Sequence, residues 1–237
     1  MIAAALLLVA VGGVDLLRRL IVGRRRIAFA IAGVVLVAVS AGADAIVAGL
    51  LAVAVAAIWT WVVPESGPAR AGLWPVGLLG VAVAACVVAA PARPHPGLLG
   101  AVWEAYGPRA GISLDVVLLV AGCLLFLLES GNAVVRIALR AEMGERVLPD
   151  AGDAPTTLKG GRLIGPLERI LVFALTLAGA YPLLAAVLAA KGIVRFPEIS
   201  RDGEGGDRAE YFLIGSLVSW VTGLAAAFVV WWSLHAT

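Results

Sequence analysis

Charged side chains in the last third of the chain are the residues whose types and spacing could bind a ligand. Lys191 and Arg195 are four residues apart, so they share one face of a helix. Two cations placed together between membrane helices can bind an anionic group such as a lipid phosphate or a phosphate-bearing substrate. The full set of candidate ligand-binding residues is Lys191, Arg195, Glu168, Arg169, Glu198 and Glu210.

The same charges have two structural interpretations, which the sequence leaves open. In the first, Glu168 and Glu210 neutralise the two cations and form an ion-paired latch that fixes how the helices pack. In the second, the long basic side chains extend to the lipid headgroups while their stems stay in apolar surroundings. The segment that ends near Lys191 is about 14 residues long, or roughly 21 Å as a helix, so this amine is expected below the membrane surface.

Signatures of enzymes and metal sites are missing from the chain. It has no H-E-x-x-H, G-x-S-x-G or G-x-x-x-x-G-K-[ST] motif. Its two cysteines, Cys86 and Cys123, lie far apart inside apolar runs, where packing accounts for them. The sequence therefore predicts no catalytic residue, no metal and no cofactor.

The composition indicates which elements must position these charges. Hydrophobic residues make up 62% of the 237 residues and charged residues 14%, against about 45–50% and about 25% in soluble domains. The mean hydropathy is +1.01. A net charge of +2 is too small for a basic nucleic-acid-binding protein, so we expect an integral membrane protein with no nucleic-acid partner.

The apolar segments are spaced as in a polytopic bundle. We predict an all-α transmembrane bundle of about eight helices, or seven if the hairpin near residues 170–193 is re-entrant. Turns are expected at 40–44, where small and polar residues interrupt an apolar run, and at Tyr181-Pro182. The eight segments are residues 2–22, two within 27–63 divided by the turn at 40–44, and then 71–90, 112–128, 163–180, 183–196 and 211–232.

Basic residues set the expected orientation and domain division. In the eight-helix arrangement every Lys and Arg except Arg93 and Arg109 lies on one side, which the positive-inside rule makes cytoplasmic. Both termini then lie on the non-cytoplasmic side of a bacterial cytoplasmic membrane. We expect a five-helix region (1–129), a cytoplasmic amphipathic helix with a linker (130–162) and a three-helix module carrying the charges (163–237).

Three motifs carry a resemblance to a known group of proteins. They are Gly-Gly-Arg-Leu-Ile-Gly-Pro-Leu-Glu-Arg at 160–169, Ala-Lys-Gly-Ile-Val-Arg-Phe-Pro-Glu at 190–198 and Glu-Tyr-Phe-Leu-Ile-Gly-Ser at 210–216. Over roughly residues 130–232 the chain resembles uncharacterised membrane proteins of actinobacteria and the C-terminal part of proteins that carry the domain DUF3307. The resemblance implies that the three motifs belong together, and it implies no activity.

Two functions from different classes follow. The first is a carrier or permease of the inner membrane that binds an anionic ligand at a cytoplasmic-side pocket, with Lys191 and Arg195 on the anion. The second is a structural or accessory subunit of a larger membrane complex, with the charges as a latch and a stripe of small residues, Gly215, Ser219 and Gly223, against a partner. Expected partners are membrane lipids and either a membrane protein or a second copy of the chain.

Overall fold

The chain is helical wherever its structure is described. A computed structural model describes residues 1–21, 23–63, 72–89, 97–107, 111–143, 161–199 and 207–235, and every regular element in these ranges is a helix. The predicted all-α class is therefore confirmed for these residues. The helices are α1 (Ile2–Leu20), α2 (Arg25–Gly42), α3 (Ile46–Val62), α4 (Trp74–Val88), α5 (Gly97–Tyr106), α6 (Leu114–Leu125), α7 (Gly131–Met143), α8 (Gly161–Leu177), α9 (Tyr181–Ile199) and α10 (Asp207–His235).

Within the described ranges, three helices are long and apolar enough to cross a membrane. They are α2, a continuous helix Leu114–Glu142 that includes α6 and most of α7, and the Ala209–His235 part of α10. Helices α3 and α4 and the Tyr181–Val194 part of α9 are apolar but shorter. Helix α1 has 19 residues, but its C-terminal third carries an acid and two arginines. The chain is thus compatible with a membrane protein, and the number of eight crossings stays a prediction.

The turn predicted at 40–44 is confirmed. Helix α2 ends at Gly42 and α3 begins at Ile46. Between them Asp44 has a φ of 54°, in the left-handed region that Asp and Asn tolerate better than most residues. The two helices then run close together, since a Cβ on Gly49 would overlap the Oγ of Ser40.

The hairpin predicted at Tyr181-Pro182 is also present, but its turn lies earlier in the chain. Helix α8 ends at Leu177, and Gly179 makes the turn with a φ of 67°. Tyr181 and Pro182 instead open α9. Proline suits the first turn of a helix because its missing N–H would have no partner there, so Pro182 marks a helix start.

Helix α5 lies between the predicted segments 71–90 and 112–128, where no helix was predicted. Prolines at 91, 94 and 96 and a proline at 108 suggested irregular structure between the neighbouring segments. The residues between them form Gly97–Tyr106, and the indole N–H of Trp103 donates to the carbonyl of Ile112 at 2.8 Å. Leu98 and Tyr106 are mostly exposed, so the apolar side chains of this short helix stand on its surface.

The contacts within the chain divide it into two compact units. The first comprises Met1–Ser130 and Phe228–Thr237, and the second comprises Gly131–Ala227. The predicted boundaries at 129/130 and 162/163 stay predictions, because residues 144–160 of the proposed linker lie outside the described part of the chain.

Helix α1 is the centre of the first unit, and its closest neighbour is α6. Leu6 and Val11 of α1 are almost fully buried. A Cβ on Gly12 would lie 2.6 Å from the backbone nitrogen of Phe126, and one on Gly122 would lie 2.9 Å from the carbonyl oxygen of Ala5. Glycine at both positions lets the two backbones approach closely, which is how helices gain packing energy in lipid.

This close approach gives a prediction with a neighbouring control. Gly12→Ala is expected to lower the free energy of unfolding by roughly 1–3 kcal/mol, because the added methyl meets backbone that cannot move aside. Gly13→Ala is the control, since no atom lies within 4 Å of a Cβ there and alanine favours the helix. Thermal unfolding in detergent measures both. Equal midpoints for the two variants would contradict the α1–α6 contact.

The small-residue stripe on α10 packs within the second unit. A Cβ on Gly223 would lie 3.1 Å from the carbonyl oxygen of Arg169, and one on Gly215 would lie 3.9 Å from Leu139 and Val135. The expectation that this stripe faces a separate partner is therefore corrected: its glycines face α7 and α8 of the same chain.

Candidate functional site

An ion pair between α8 and α9 lies at the centre of the candidate site. The Nζ of Lys191 donates to both carboxylate oxygens of Glu168, at 2.6 Å each. The indole N–H of Trp220 on α10 donates to the Oε1 of the same carboxylate at 2.5 Å. We call Glu168, Lys191, Phe212 and Trp220 the Lys191 cluster. It joins three helices through one carboxylate.

Aromatic rings complete the surroundings of the Lys191 amine. Its Nζ lies 5.4 Å from the ring centroid of Phe212 and 5.5 Å from that of Trp220. A cation within about 6 Å of a ring face is attracted by the electrons of that face. The amine is therefore held by one carboxylate and two rings, all of them groups that favour a positive charge.

The pair is mostly but not fully removed from solvent. The side chain of Lys191 is 25% exposed and that of Glu168 is 11% exposed. Burial on this scale strengthens the attraction between the charges relative to a surface pair. Because both oxygens of Glu168 already contact the amine, an external anion would compete with this carboxylate for the charge of Lys191.

Arg169 belongs to a different contact from its neighbour in sequence. Its side chain is 1% exposed, and its Nη2 donates to the Oδ1 of Asn132 on α7 at 2.6 Å. A Cβ on Gly131 would lie 2.5 Å from the Nε of Arg169, so glycine makes room for the guanidinium. The structure places Arg169 against α7, and Glu168 against α9 and α10.

The remaining predicted site residues do not join the Lys191 cluster among the side chains described. Glu210 lies in the first turn of α10 and is exposed. It precedes Trp220 by ten residues, or about 15 Å along the helix. Arg195 and Glu198 lie on α9 one and two turns beyond Lys191, and their side chains are outside the described part of the structure.

A second polar cluster joins three helices of the first unit. Asp15 on α1 accepts hydrogen bonds through its Oδ2 from the indole N–H of Trp59 at 3.0 Å and from the hydroxyl of Ser130 at 2.6 Å. Its Oδ1 lies 3.3 Å from the Nη1 of Arg18. We call Asp15, Arg18, Trp59 and Ser130 the Asp15 cluster. The side chains of Asp15 and Arg18 are only about a tenth exposed.

Arg18 also caps the end of α3. Its Nη1 donates to the carbonyl of Val63 at 2.9 Å, and its Nη2 donates to the carbonyl of Thr60. The last carbonyls of a helix have no partner within that helix, and a cation there also interacts favourably with the helix dipole. One guanidinium thus satisfies the end of α3 and the carboxylate of α1 together.

A π-helical turn presents two of the partners of α1. Between α6 and α7 the residues Phe126–Ser130 form this turn. Ser130 reaches Asp15, and the neighbouring Glu129 forms an ion pair with Arg19. A π turn inserts one extra residue and changes which side chains face a neighbour, so adjacent positions of one helix both engage α1.

The sequence pointed to only part of this second cluster. Arg18 and Arg19 follow Asp15 by three and four residues, a spacing that predicts a local ion pair, and the pair with Arg18 is present. The position of Glu129 in the sequence does not predict its pair with Arg19. A signal that could have found the rest is the place of Asp15 inside an otherwise apolar helix, since a buried charge requires partners.

No metal centre is found among the described residues. They contain no group of three or more His, Cys, Asp and Glu side chains able to hold a metal ion. Cys86 and Cys123 are both free thiols. The chemistry available in the two clusters is therefore that of paired charges and hydrogen bonds.

No family model, no curated protein and no solved structure matches this chain.

Proposed function

We propose that the protein is a multi-pass protein of a bacterial cytoplasmic membrane and serves as a structural or accessory subunit of a larger membrane complex. In this proposal its buried charges hold its own helices together, and the cytoplasmic side is the one rich in Lys and Arg. Both termini then lie on the non-cytoplasmic side. The motifs at 160–169, 190–198 and 210–216 would place it with the actinobacterial membrane proteins that they resemble.

One observation carries this proposal: both oxygens of Glu168 contact the amine of Lys191. A carrier of anions needs a cation that is available to its ligand. Here the cation is matched by a carboxylate from the next helix, which is itself held by Trp220. Such an arrangement is that of a latch between helices.

The Asp15 cluster supports the same interpretation. A charged side chain inside a membrane costs several kcal/mol unless it is paired or hydrated. Asp15 receives donors from α1, α3 and the π turn, and Arg18 spans α1 and the end of α3. Asp15 and Arg18 both bond to segments of the first unit other than their own helix. Residues that fix the positions of helices need such contacts.

A carrier of an anionic ligand is the second candidate, and one observation favours it. The side chain of Lys191 is 25% exposed, so this residue is not fully enclosed by the cluster. Arg195 follows one turn later on α9 and would contact the same ligand, a lipid phosphate or a soluble phosphate. In this alternative Glu168 holds Lys191 until the ligand replaces it.

Native mass spectrometry of the full chain, extracted in a mild detergent, separates the two candidates. For the structural proposal we expect a different polypeptide in a fixed ratio to this chain and no phosphate-bearing molecule whose retention depends on Lys191. Glu168→Gln is then expected to lower stability without adding a ligand. The control is Glu210→Gln, which removes the same charge from an exposed position of α10.

A different set of masses would overturn the proposal. If the chain appears only as a monomer or homodimer and carries a phosphate-bearing ligand at the Lys191 cluster, the accessory role fails. The carrier is then supported if Lys191→Gln loses that ligand and Glu168→Gln holds more of it, because removal of the competing carboxylate frees the amine.

A further inference from the structure

The connection between α1 and α2 carries an uncompensated positive charge. Of the five arginines in and beside this connection, Arg18 and Arg19 are used inside the first unit by Asp15, the end of α3 and Glu129, and the Nε of Arg25 donates to the carbonyl of Ile21. Arg24 and Arg26 are exposed, and among the described residues neither has a side-chain hydrogen bond or ion pair. The sequence has no acidic residue between Asp15 and Asp44. No carboxylate of this segment can therefore neutralise the two guanidinium groups.

An exposed apolar surface begins immediately beyond these arginines. Helix α2 is long and apolar enough to cross a membrane, and only 6% of its residues are buried. Its exposed side chains recur at three- and four-residue steps and so form one face. They are Ile27 (58% exposed), Ile31 (59%), Val34 (70%) and Val35 (54%).

We propose that Arg24, Arg26 and this face of α2 form a binding surface for an anionic phospholipid. The phosphate would lie at the start of α2, where either guanidinium group can donate paired N–H bonds to its oxygens. The acyl chains would lie along the side chains from Ile27 to Val35, a length of about 12 Å. Charge complementarity favours an anionic lipid, because a zwitterionic lipid would place the cation of its own headgroup beside two arginines.

The surface is independent of the function proposed above. It uses no residue of the Lys191 cluster, and it requires neither a partner subunit nor transport. Loss of lipid binding would leave the accessory role intact, and a chain without a partner could still bind lipid through α2.

The test compares two lipids with the same acyl chains on the purified full chain. Phosphatidylglycerol and phosphatidylcholine are titrated in detergent, and bound lipid is counted by native mass spectrometry. We expect phosphatidylglycerol to bind more tightly. Each basic residue near an anionic membrane surface contributes roughly a fivefold factor to affinity. Arg24→Gln with Arg26→Gln should therefore weaken the binding of phosphatidylglycerol about thirtyfold. Phosphatidylcholine should be unaffected.

Two further variants keep the result interpretable. Arg93→Gln with Arg109→Gln removes the same net charge elsewhere in the chain, and we expect it to leave lipid binding unchanged. Arg24→Lys with Arg26→Lys keeps the charge needed for membrane orientation but loses the planar fork of donors. The lysine double variant should weaken the binding of phosphatidylglycerol less than Arg24→Gln with Arg26→Gln does.

Three outcomes would overturn the proposal. The first is equal affinity for the two lipids in the unaltered chain. The second is that Arg93→Gln with Arg109→Gln weakens the binding of phosphatidylglycerol as much as Arg24→Gln with Arg26→Gln does, which would indicate a nonspecific charge effect. The third is that inorganic phosphate or glycerol phosphate displaces bound phosphatidylglycerol at the same concentration at which the free lipid does. The acyl chains would then contribute nothing to binding.

Discussion

Replacing Asp15 by alanine is expected to lower the free energy of unfolding by about 3–5 kcal/mol, the usual effect of removing one member of a buried ion pair. The substitution leaves the guanidinium of Arg18, the indole N–H of Trp59 and the hydroxyl of Ser130 without the carboxylate they share. Each of these donors comes from a different part of the first unit, so the loss affects the packing of α1, α3 and the π turn together.

A graded series separates charge from hydrogen bonding in the Asp15 cluster. Asp15→Asn keeps one oxygen acceptor and the shape of the side chain, so it should cost less, roughly 1.5–3 kcal/mol. Trp59→Phe removes one donor and keeps most of the packing, and we expect the smallest loss from it. Thermal unfolding in a single detergent, followed by circular dichroism, ranks the three variants.

Glu104→Gln is the matched control for Asp15→Asn. It also exchanges a carboxylate for an amide, but Glu104 is exposed on α5. Its effect should stay within about 0.5 kcal/mol. If Asp15→Asn unfolds at the same temperature as Glu104→Gln, the carboxylate does not hold the three segments together, and the Asp15 cluster loses its structural role.

Local chemistry was enough to predict both hairpins. The run of small and polar residues at 40–44 cannot continue an apolar membrane helix, and α2 does end there. The second turn was predicted from Pro182, which in fact opens α9, while Gly179 makes the turn. Both residues favour a break between helices. The sequence therefore located the hairpin, and the geometry of proline and glycine decides its exact position.

Elements that depend on tertiary contacts were less accessible to prediction. The loop expected around residues 91–111 contains α5, whose first residue packs against the α2–α3 turn, with a Cβ on Gly97 only 2.6 Å from the carbonyl oxygen of Gly42. The π turn Phe126–Ser130 follows no composition rule either. Both features depend on contacts with residues that are distant in sequence, and the hydrophobic periodicity of a segment gives no information about such contacts.

The candidate site was predicted in part, for a reason that lies in helix geometry. Glu168 and Lys191 were expected to come together because the hairpin returns α9 beside α8, and they do so. Arg169 was grouped with them because it is adjacent in sequence. Successive residues of a helix point about 100° apart, so Arg169 faces Asn132 on α7 instead.

The Asp15 cluster shows the limit of spacing as a guide. Its local pair with Arg18 is three residues apart and was predictable from helical periodicity. Trp59 and Ser130 are 44 and 115 residues away. Neither Trp nor Ser is a residue type that by itself indicates a buried acceptor nearby. Only the three-dimensional packing of α1, α3 and the π turn identifies these two residues as partners of Asp15.

Breaking the pair between α8 and α9 is expected to have the second-largest effect on stability. Lys191→Gln leaves the carboxylate of Glu168 with the indole of Trp220 as its described partner, and Glu168→Gln leaves the amine with two rings. Either change should lower the free energy of unfolding by roughly 2–3 kcal/mol. This is less than the roughly 3–5 kcal/mol for a fully buried pair, because the Lys191 side chain is 25% exposed.

The double variant distinguishes a latch from two independent charges. With Lys191→Gln and Glu168→Gln together no uncompensated charge remains, so the combined loss should be smaller than the sum of the single losses by about 1–3 kcal/mol. Glu210 was the other expected partner of the basic pair, and the structure leaves it exposed on α10. Lys191→Gln with Glu210→Gln should therefore be additive.

These two double variants, measured by denaturant unfolding in the same detergent, decide which carboxylate holds Lys191. Coupling to Glu168 with additivity to Glu210 supports the α8–α9 latch. Coupling to Glu210 instead would mean that the first turn of α10 approaches Lys191 and that Glu168 is free to act on a ligand. Additivity in both cases would remove the latch, and with it the observation on which the structural role depends.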